Sequence, residues 1–241
     1  MMASEFVKRD SWISKMLGRP AYHLKIQEDF IDATQCGTSD LPDAFNESPA
    51  FFYTKVGTDD QKGIECVHNL GFRLIETNVI FEKSVAKREL SGNCTVRLAE
   101  AKDKDAVMEV GRNNFIYTRF HVDSRIEKET ADKLKAAWVG NFFTGQRGDK
   151  MVVAEVDGKI AGFNQLLFTE PDIATIDLIA VDKEFRRRGI ALDMITHAEE
   201  VYSNCSTIRV GTQIANLPSI AVYEQIGFRV AESQYVFHRH S

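Results

Sequence analysis

The sequence predicts an α+β fold made of two related parts of unequal size. One phrase occurs twice without a gap, as HNLGFRLIETNVIF at residues 68–81 and as EQIGFRVAESQYVF at residues 224–237. An internal repeat of this kind indicates two copies of one structural unit. The 241 residues are enough for two domains of ordinary size. From Cys94 onward the pattern is β-α-α-β-β-β-α-β-α-β, and its consecutive strands exclude a doubly wound sheet.

The first copy is the shorter one. Its predicted elements are, in order, a strand at 21–26, a strand at 50–56, a helix within 59–72 and a strand at 72–83. Gly71 is the expected C-terminal cap of the helix. The polar stretch 87–93 is the expected linker, which divides the chain into an N-terminal domain, 1–90, and a C-terminal domain, 91–241.

The second copy has a longer series of elements. They are a strand at 95–100, a helix from about Asp103, an amphipathic helix at 128–143, strands at 150–156, 159–168 and 174–181, a helix at 190–202, a strand at 207–213, a helix at 217–227 and a strand at 228–237. The amphipathic helix places Ala131, Leu134, Trp138 and Phe142 on one face. Asp157-Gly158 between two apolar runs predicts a hairpin, because both turn residues must take positive φ.

Composition narrows the classes of partner. A net charge of −5 gives no general attraction to nucleic acid or to an anionic membrane, so neither partner is expected. No apolar run reaches the roughly 18 residues of a membrane span, and the first residues lack the apolar core of a signal peptide. Cys36, Cys66, Cys94 and Cys205 are far apart, so we expect reduced thiols and a cytoplasmic location.

The stretch IDLIAVDKEFRRRGIALDMI predicts a site for an anion. An apolar strand runs into a turn whose glycine, Gly189, opens a helix. The first N–H groups of a helix are unpaired and carry partial positive charge, and glycine lets the backbone approach a ligand. Ala191 leaves the first turn unobstructed, and Arg186, Arg187 and Arg188 suit a phosphate. The Walker motif GxxxxGK[ST] and the dinucleotide motif GxGxxG are both absent.

Two motifs resemble the GNAT N-acetyltransferase superfamily. Arg186-x-x-Gly189-x-Ala191 after an apolar strand is similar to its acetyl-CoA pyrophosphate loop. Asn216, Ser219, Tyr223 and Gly227-Phe228 are similar to its closing motif, with Ser219 in place of the commoner alanine. The resemblance covers about residues 94–239. It implies a mixed, mostly antiparallel sheet flanked by helices, preceded here by a smaller, truncated GNAT-like α/β domain.

The same resemblance implies a mechanism and a set of site residues. An acetyl group would pass directly from acetyl-CoA to a primary amine, with no metal and no covalent enzyme intermediate. Tyr223 would protonate the departing thiolate as general acid. The implied cofactor-binding residues are Ile179, Ala180, Val181, Arg186, Arg187, Arg188, Gly189, Ile190, Ala191, Asn216, Ser219 and Tyr223.

A narrower resemblance concerns the acceptor. The N-terminal half-domain, the stretch FIYTRFHVD and a Trp-bearing helix are similar to dTDP-fucosamine acetyltransferases, which implies a nucleotide-linked amino sugar as the small-molecule acceptor. A protein N-terminus, a polyamine or an aminoglycoside are the alternative acceptors. A CoA-binding regulatory or interaction module without catalysis is an alternative of another class. The oligomeric state stays open, a homodimer included.

Several of these residues also have ordinary structural interpretations. The arginine run could be a solvated surface, Asn216 only a helix cap, and Tyr223 only a core aromatic residue. Asp177 interrupts a strand and is either a base or substrate ligand, or a strand-end acid. Arg119 is either a ligand of a sugar-nucleotide phosphate or a salt-bridge partner.

Two further observations limit the chemistry. His238 and His240 alternate along the last strand without a third ligand in sequence, so no metal site is predicted. In the first copy Val67 falls on the position of Tyr223, and residues 27–48 are acidic where the second copy has its arginine loop. We therefore expect the first copy to have kept the packing phrase without the chemistry.

Overall fold

The computed structural model describes residues 6–34, 41–86, 89–202 and 204–241. Cys36 lies outside these residues, as do parts of the acidic stretch 27–48 and of the expected linker 87–93. Within the described ranges, Cys94 and Cys205 are free thiols. No helix there combines the length and the apolar character needed to span a bilayer.

The chain forms two compact units. One comprises Met1–Val79 together with Glu232–Ser241, and the other comprises Ile80–Ala231. This grouping differs from the division between residues 90 and 91 that the sequence predicted. That domain boundary stays a prediction. The physical reason is the last strand, whose residues Gln234–His240 pair antiparallel with Gly57–Phe51.

The N-terminal unit is built on a small sheet. In chain order its elements are β1 (Val7–Arg9), α1 (Ser11–Leu17), β2 (Ala21–Leu24), α2 (Glu28–Thr34), β3 (Phe51–Gly57), α3 (Gln61–Asn69) and the first part of β4 (Arg73–Ser84). β1 pairs antiparallel with β2, and β2 pairs parallel with β3. A dense aromatic core, including Phe30, Phe45, Phe52 and Phe72, fills the unit. The sequence did not reveal β1, α1 or α2, which are short.

The C-terminal unit follows the predicted order with one added helix. Its elements are β5 (Thr95–Leu98), α4 (Lys104–Asn113), α5 (Arg119–Val122), α6 (Lys128–Gly140), β6 (Lys150–Val156), β7 (Lys159–Glu170), β8 (Ile173–Val181), α7 (Ile190–Val201), β9 (Thr207–Gln213), α8 (Leu217–Gln225) and the start of β10 (Arg229–His240). Strands β5 to β8 pair antiparallel in sequence order, and β8 pairs parallel with β9. The predicted α+β fold, with a mixed and mostly antiparallel sheet, is confirmed.

Local predictions within this unit also hold. Asp157 and Gly158 take φ values of 50° and 74°, as the hairpin turn requires. Ala131 and Leu134 on α6 are fully buried. Trp138 and Phe142 are partly buried and pack against the core cluster of the unit. α5 escaped prediction because it has only four residues.

The repeated phrase folds into the same helix ending twice. The N–H of Phe72 donates to the carbonyl of Val67 at 3.0 Å, and that of Phe228 donates to Tyr223 at 2.9 Å. Gly71 and Gly227, which stand immediately before these two phenylalanines, both take positive φ. This is the Schellman motif, in which glycine ends the helix and an apolar contact joins the third-last helical residue to the residue after the glycine. Val67 and Tyr223 occupy the same position in it.

Candidate functional site

The strands β8 and β9 separate part-way along their length. Their parallel pairing runs from Ile173↔Thr207 to Ile176↔Val210 and stops there, although β8 continues to Val181 and β9 to Gln213. Backbone groups of β8 beyond Ile176 are therefore not used by β9. Such groups are available to a ligand that lies along the strand.

A β-bulge marks the point of separation. On the other side of β8, Gln165 pairs with Leu178 and Leu166 pairs with Ile176, so Asp177 is an extra residue in β8. A bulge bends its strand and increases the local twist. We attribute the opening between β8 and β9 to this bend.

The loop from β8 to α7 has the features expected of an anion site. Gly189 is the N-cap of α7, with φ 79°. Because glycine has no side chain, the cap residue makes no hydrogen bond to the first N–H groups of the helix. Arg187, two residues earlier, also takes positive φ, at 64°. Arg186 and Arg187 are exposed. The free helix N-terminus and two guanidinium groups give this end of α7 a positive potential.

Asn114, at the end of α4, fixes this loop. Its side-chain oxygen accepts from the backbone N–H of Lys183 at 3.0 Å and from the guanidinium of Arg186 at 2.9 Å. Its amide donates to the carbonyl of Val110 at 3.0 Å and to the carboxylate of Asp182 at 3.2 Å. The side chain of Asn114 thus makes one hydrogen bond within α4 and three to the loop, and so joins the two.

The segment before β5 supports the other side of the same loop. Ser91 donates from its backbone N–H and its hydroxyl to the two carboxylate oxygens of Asp193, at 2.7 and 2.6 Å. Asn93 donates to the carbonyl of Arg188 at 3.0 Å. Burial and the neighbouring Asp193 raise the pKa of the Cys94 thiol to about 11, so that thiol is protonated near neutral pH.

Helix α8 contributes a cap and a buried phenol. Asn216 is its N-cap, accepting from the backbone N–H of Ser219 at 3.4 Å and donating to the hydroxyl of Thr212 at 3.0 Å. Tyr223 is 4% exposed, and its ring contacts those of Phe81 and Phe228. Burial raises the pKa of Tyr223, although a hydrogen bond with Ser219 lowers it in part. The phenol therefore holds its proton at neutral pH.

These elements enclose one cavity of about 700 Å³. The sequence-predicted residues that line it are Ile179, Ala180, Val181, Arg186, Arg187, Gly189, Ile190, Ala191, Asn216, Ser219 and Tyr223. The cavity is within the size range of small-molecule sites. It combines apolar walls with a cationic end, which suits a ligand with an apolar arm and a phosphate group.

Three predicted residues do not line this cavity. Arg188 lies over the ring of Phe185 at 5.5 Å. Arg119 lies over the ring of Phe120, at 4.6 Å. Asp177 accepts two hydrogen bonds from Arg147 and a third from Gln165. The roles first assigned to these three residues stay predictions.

Sequence reasoning missed the connector between α4 and α5. Asn114, Phe115, Ile116, Tyr117 and Thr118 form a continuous wall of the cavity. In the sequence, FIYTRFHVD supported the resemblance to dTDP-fucosamine acetyltransferases, but the run FIYT has no spacing typical of a site. Gln213, at the end of β9, was missed for the same reason.

The comparisons with known proteins agree with this geometry. A family model described as the acetyltransferase (GNAT) family matches residues 114–228. This part of the chain is thus similar to GNAT acetyltransferases. Every residue that lines the cavity falls within the matched range.

Two curated relatives are similar to part of the chain. The spore coat polysaccharide biosynthesis protein SpsD of Bacillus subtilis is 29% identical over 141 residues, which is 58% of this chain and 48% of that protein. The [ribosomal protein bS18]-alanine N-acetyltransferase of Salmonella typhimurium is 28% identical over 100 residues, 39% of this chain and 66% of that protein. The matched part of the chain thus spans about half of the first relative and about two thirds of the second.

A solved structure extends the likeness to almost the whole chain. A GCN5-related N-acetyltransferase from Sphaerobacter thermophilus has a TM-score of 0.64 and 14% sequence identity, covering 97% of this chain and 75% of its own. At that identity the likeness concerns the fold alone. It supports a GNAT fold that also includes residues before the matched range.

Proposed function

We propose that the chain is an acetyl-CoA-dependent N-acetyltransferase that moves the acetyl group to a primary amine. The observation that carries the proposal is one cavity bounded by the open edge of β8, by the N-terminus of α7 and by the protonated phenol of Tyr223. Acetyl-CoA is the acyl donor of the GNAT family.

The residues around the cavity fit acetyl-CoA. The N-terminus of α7 and the guanidinium groups of Arg186 and Arg187 would hold the pyrophosphate. Backbone groups of Ile179 to Val181 that face away from β7 would hydrogen-bond the pantetheine amides, apart from the carbonyl of Val181, which accepts from Nε of Arg186 at 3.1 Å. A side chain at Gly189 would need a β-carbon at φ 79°, which L-residues rarely adopt, so the loop is shaped for glycine.

The protein groups then divide the work of a direct transfer. The bound donor supplies the thioester carbon that the amine attacks. Tyr223 gives its phenolic proton to the sulfur as the C–S bond breaks. The thiol of Cys94 is protonated and does not line the cavity, so it offers no nucleophile for a covalent route.

For the acceptor we propose an amino sugar joined to a nucleotide. The supporting observations are the similarity to SpsD, a protein named for polysaccharide biosynthesis, and the sequence resemblance described above. A protein N-terminus is the second candidate, because the Salmonella typhimurium relative is named for acetylating an alanine of a ribosomal protein.

A screen of amines tests both the proposed reaction and the proposed class of acceptor. Acetyl-CoA is incubated with the protein and with amino sugars, nucleotide-linked amino sugars, N-terminal peptides, polyamines or aminoglycosides, and free thiol is followed. Turnover on any amine supports the transferase, whereas binding of acetyl-CoA without turnover would favour a regulatory module.

The acceptor class is decided by a pair of matched substrates. Binding energy from the nucleotide would position the reacting amine, so kcat/KM should be much higher for the nucleotide-linked amino sugar than for the free one. Equal values, or faster turnover of a peptide N-terminus, would overturn the sugar assignment and leave the transferase standing.

A further inference from the structure

A hydrogen-bonded chain of three side chains leads from the cavity wall into the C-terminal unit. The hydroxyl of Thr118 lies 2.6 Å from Nδ1 of His121, and Nε2 of His121 lies 3.1 Å from a carboxylate oxygen of Asp132. Thr118 lines the cavity. The imidazole behind it is 4% exposed.

The short helix α5 sets the first contact. Thr118 is its N-cap and His121 is three residues further on, so the two side chains share a face. The hydroxyl makes no bond to the backbone of the helix, which is the usual duty of a threonine cap. It is bonded to the imidazole instead.

The charges fix the direction of each hydrogen bond. Lys128 donates to the other carboxylate oxygen of Asp132 at 2.5 Å. Burial alone would raise the pKa of Asp132, but the bonds from Lys128 and His121 bring it below its usual value. Asp132 is therefore an anion that can only accept, and Nε2 of His121 carries the hydrogen.

The imidazole itself is neutral. Burial lowers the pKa of His121, as do the positive charges of Lys135 and Lys128, and together they outweigh the bond to Asp132. With its hydrogen on Nε2, a neutral ring has a free lone pair on Nδ1. Nδ1 thus accepts a hydrogen bond from the Thr118 hydroxyl, whose own lone pairs are left for a ligand.

We propose that Thr118, backed by His121 and Asp132, takes the proton from the attacking amine. This inference rests on the proposed transferase function. As the N–C bond forms and the C–S bond breaks, the amine proton passes to Oγ of Thr118 and the hydroxyl proton of Thr118 passes to Nδ1 of His121. Tyr223 protonates the sulfur. Solvent then takes the proton from His121 and restores that of Tyr223.

The composition of the cavity favours this assignment. Among the described residues, no Asp, Glu, His or Lys side chain lines it. Asp177 is engaged by Arg147 and Gln165. Ser219 hydrogen-bonds Tyr223. The hydroxyl of Thr118 lines the cavity, and the neutral imidazole of His121 lies directly behind it. Thr118 therefore offers the amine proton a route to a base.

The kinetic test uses an amine that the wild-type protein acetylates. Thr118→Val keeps the branched shape and removes the hydroxyl, and kcat should fall by about 10², a typical worth of a placed acid or base. KM for acetyl-CoA and the melting temperature should stay close to wild type. Thr118→Ser should restore most of kcat, and His121→Gln should resemble Thr118→Val.

A matched control is His197→Gln. His197 also pairs with a carboxylate, that of Glu200 at 3.2 Å, but it does not line the cavity. Its loss should leave kcat unchanged. Wild-type kcat in Thr118→Val would overturn the relay. If Thr118→Val does not fold, wild-type kcat in His121→Gln would overturn it instead. A wild-type protein that acetylates no amine would instead refute the proposed function.

A second measurement does not depend on activity. Nitrogen NMR of the histidine rings, assigned by the signal lost in His121→Gln, reports the tautomer. His121 should be neutral at pH 7 with its hydrogen on Nε2, and its Nδ1 signal should move in Thr118→Val. A cationic ring, or a hydrogen on Nδ1, would overturn the relay even if acetyl transfer is confirmed.

Discussion

The carboxylate of Asp177 accepts two hydrogen bonds from the guanidinium of Arg147, at 2.7 and 2.6 Å. Asp177 is also the residue of the bulge at which β8 leaves β9. With both of its oxygens engaged by one guanidinium, this carboxylate is poorly placed to collect a proton from a substrate. We therefore interpret the Arg147–Asp177 pair as one that stabilises the bulge. Variants of the two residues distinguish this role from that of a general base.

The first prediction concerns this pair. Asp177→Asn and Arg147→Gln should each lower stability by about 1–3 kcal/mol, because each removes the charge with which its partner is paired. The double variant should be less destabilised than the sum of the two, as expected for residues in contact. A general base would give another outcome, in which Asp177→Asn loses kcat by 10² or more while Arg147→Gln keeps it. Urea unfolding and steady-state kinetics measure the two readouts.

The second prediction concerns acetyl-CoA binding. A ligand at 100 times its Kd stabilises the fold by about 2.7 kcal/mol, so acetyl-CoA should raise the melting temperature. Gly189→Glu should abolish that rise, since its carboxylate would compete for the anion site. Gly158→Glu is the matched control, because Gly158 also has positive φ, at 74°, but lies in the hairpin turn. A rise retained in Gly189→Glu would contradict the assignment of the loop.

The third prediction concerns the general acid. Tyr223→Phe should keep the fold and acetyl-CoA binding and lower kcat by roughly 10²–10⁴. Tyr202→Phe is the control, since Tyr202 is equally buried, has a hydroxyl without a hydrogen-bond partner and does not line the cavity. It should retain wild-type kcat. Equal rates for wild type and Tyr223→Phe would remove the acid role.

The pH dependence gives a fourth prediction. Since burial raises the pKa of Tyr223, the acid stays protonated beyond the ordinary value for tyrosine, about 10. The profile of kcat should show no descending limb below about pH 10 in the range where the protein is folded. A limb near pH 8 that disappears in Tyr223→Phe would mean that the phenol ionises too early for this role.

The fifth prediction concerns the first copy of the repeat. Val67 is fully buried in the core of the N-terminal unit. Val67→Ala should lower stability by about 1–3 kcal/mol through lost burial and a small cavity. It should leave kcat nearly unchanged, because valine has no proton to give. A large loss of kcat at saturating substrates, with the fold intact, would show that the first copy takes part in the chemistry.

The repeated phrase shows how far sequence reasoning reached. Gly71 predicted the end of one helix, and the structure has the same capping bonds there and at Gly227. Such a motif is encoded locally, because glycine at positive φ and one apolar contact suffice to form it. The arginine-glycine loop is local for the same reason, so its position between β8 and α7 was evident from the order of residue types.

The sequence by itself determined the α+β class, the order of the strands and longer helices in the C-terminal unit, and the position of the arginine-glycine loop between β8 and α7. Only the tertiary structure decided that Asp177 belongs to Arg147, that Asn114 joins α4 to the loop, and that Thr118 meets the cavity with His121 and Asp132 behind it. Alternating apolar residues and turn residues act over a few positions, and a sequence displays them directly. Partners separated by 30 or more residues, such as Arg147 and Asp177, meet only when strands and helices pack, and no spacing rule foretells that meeting.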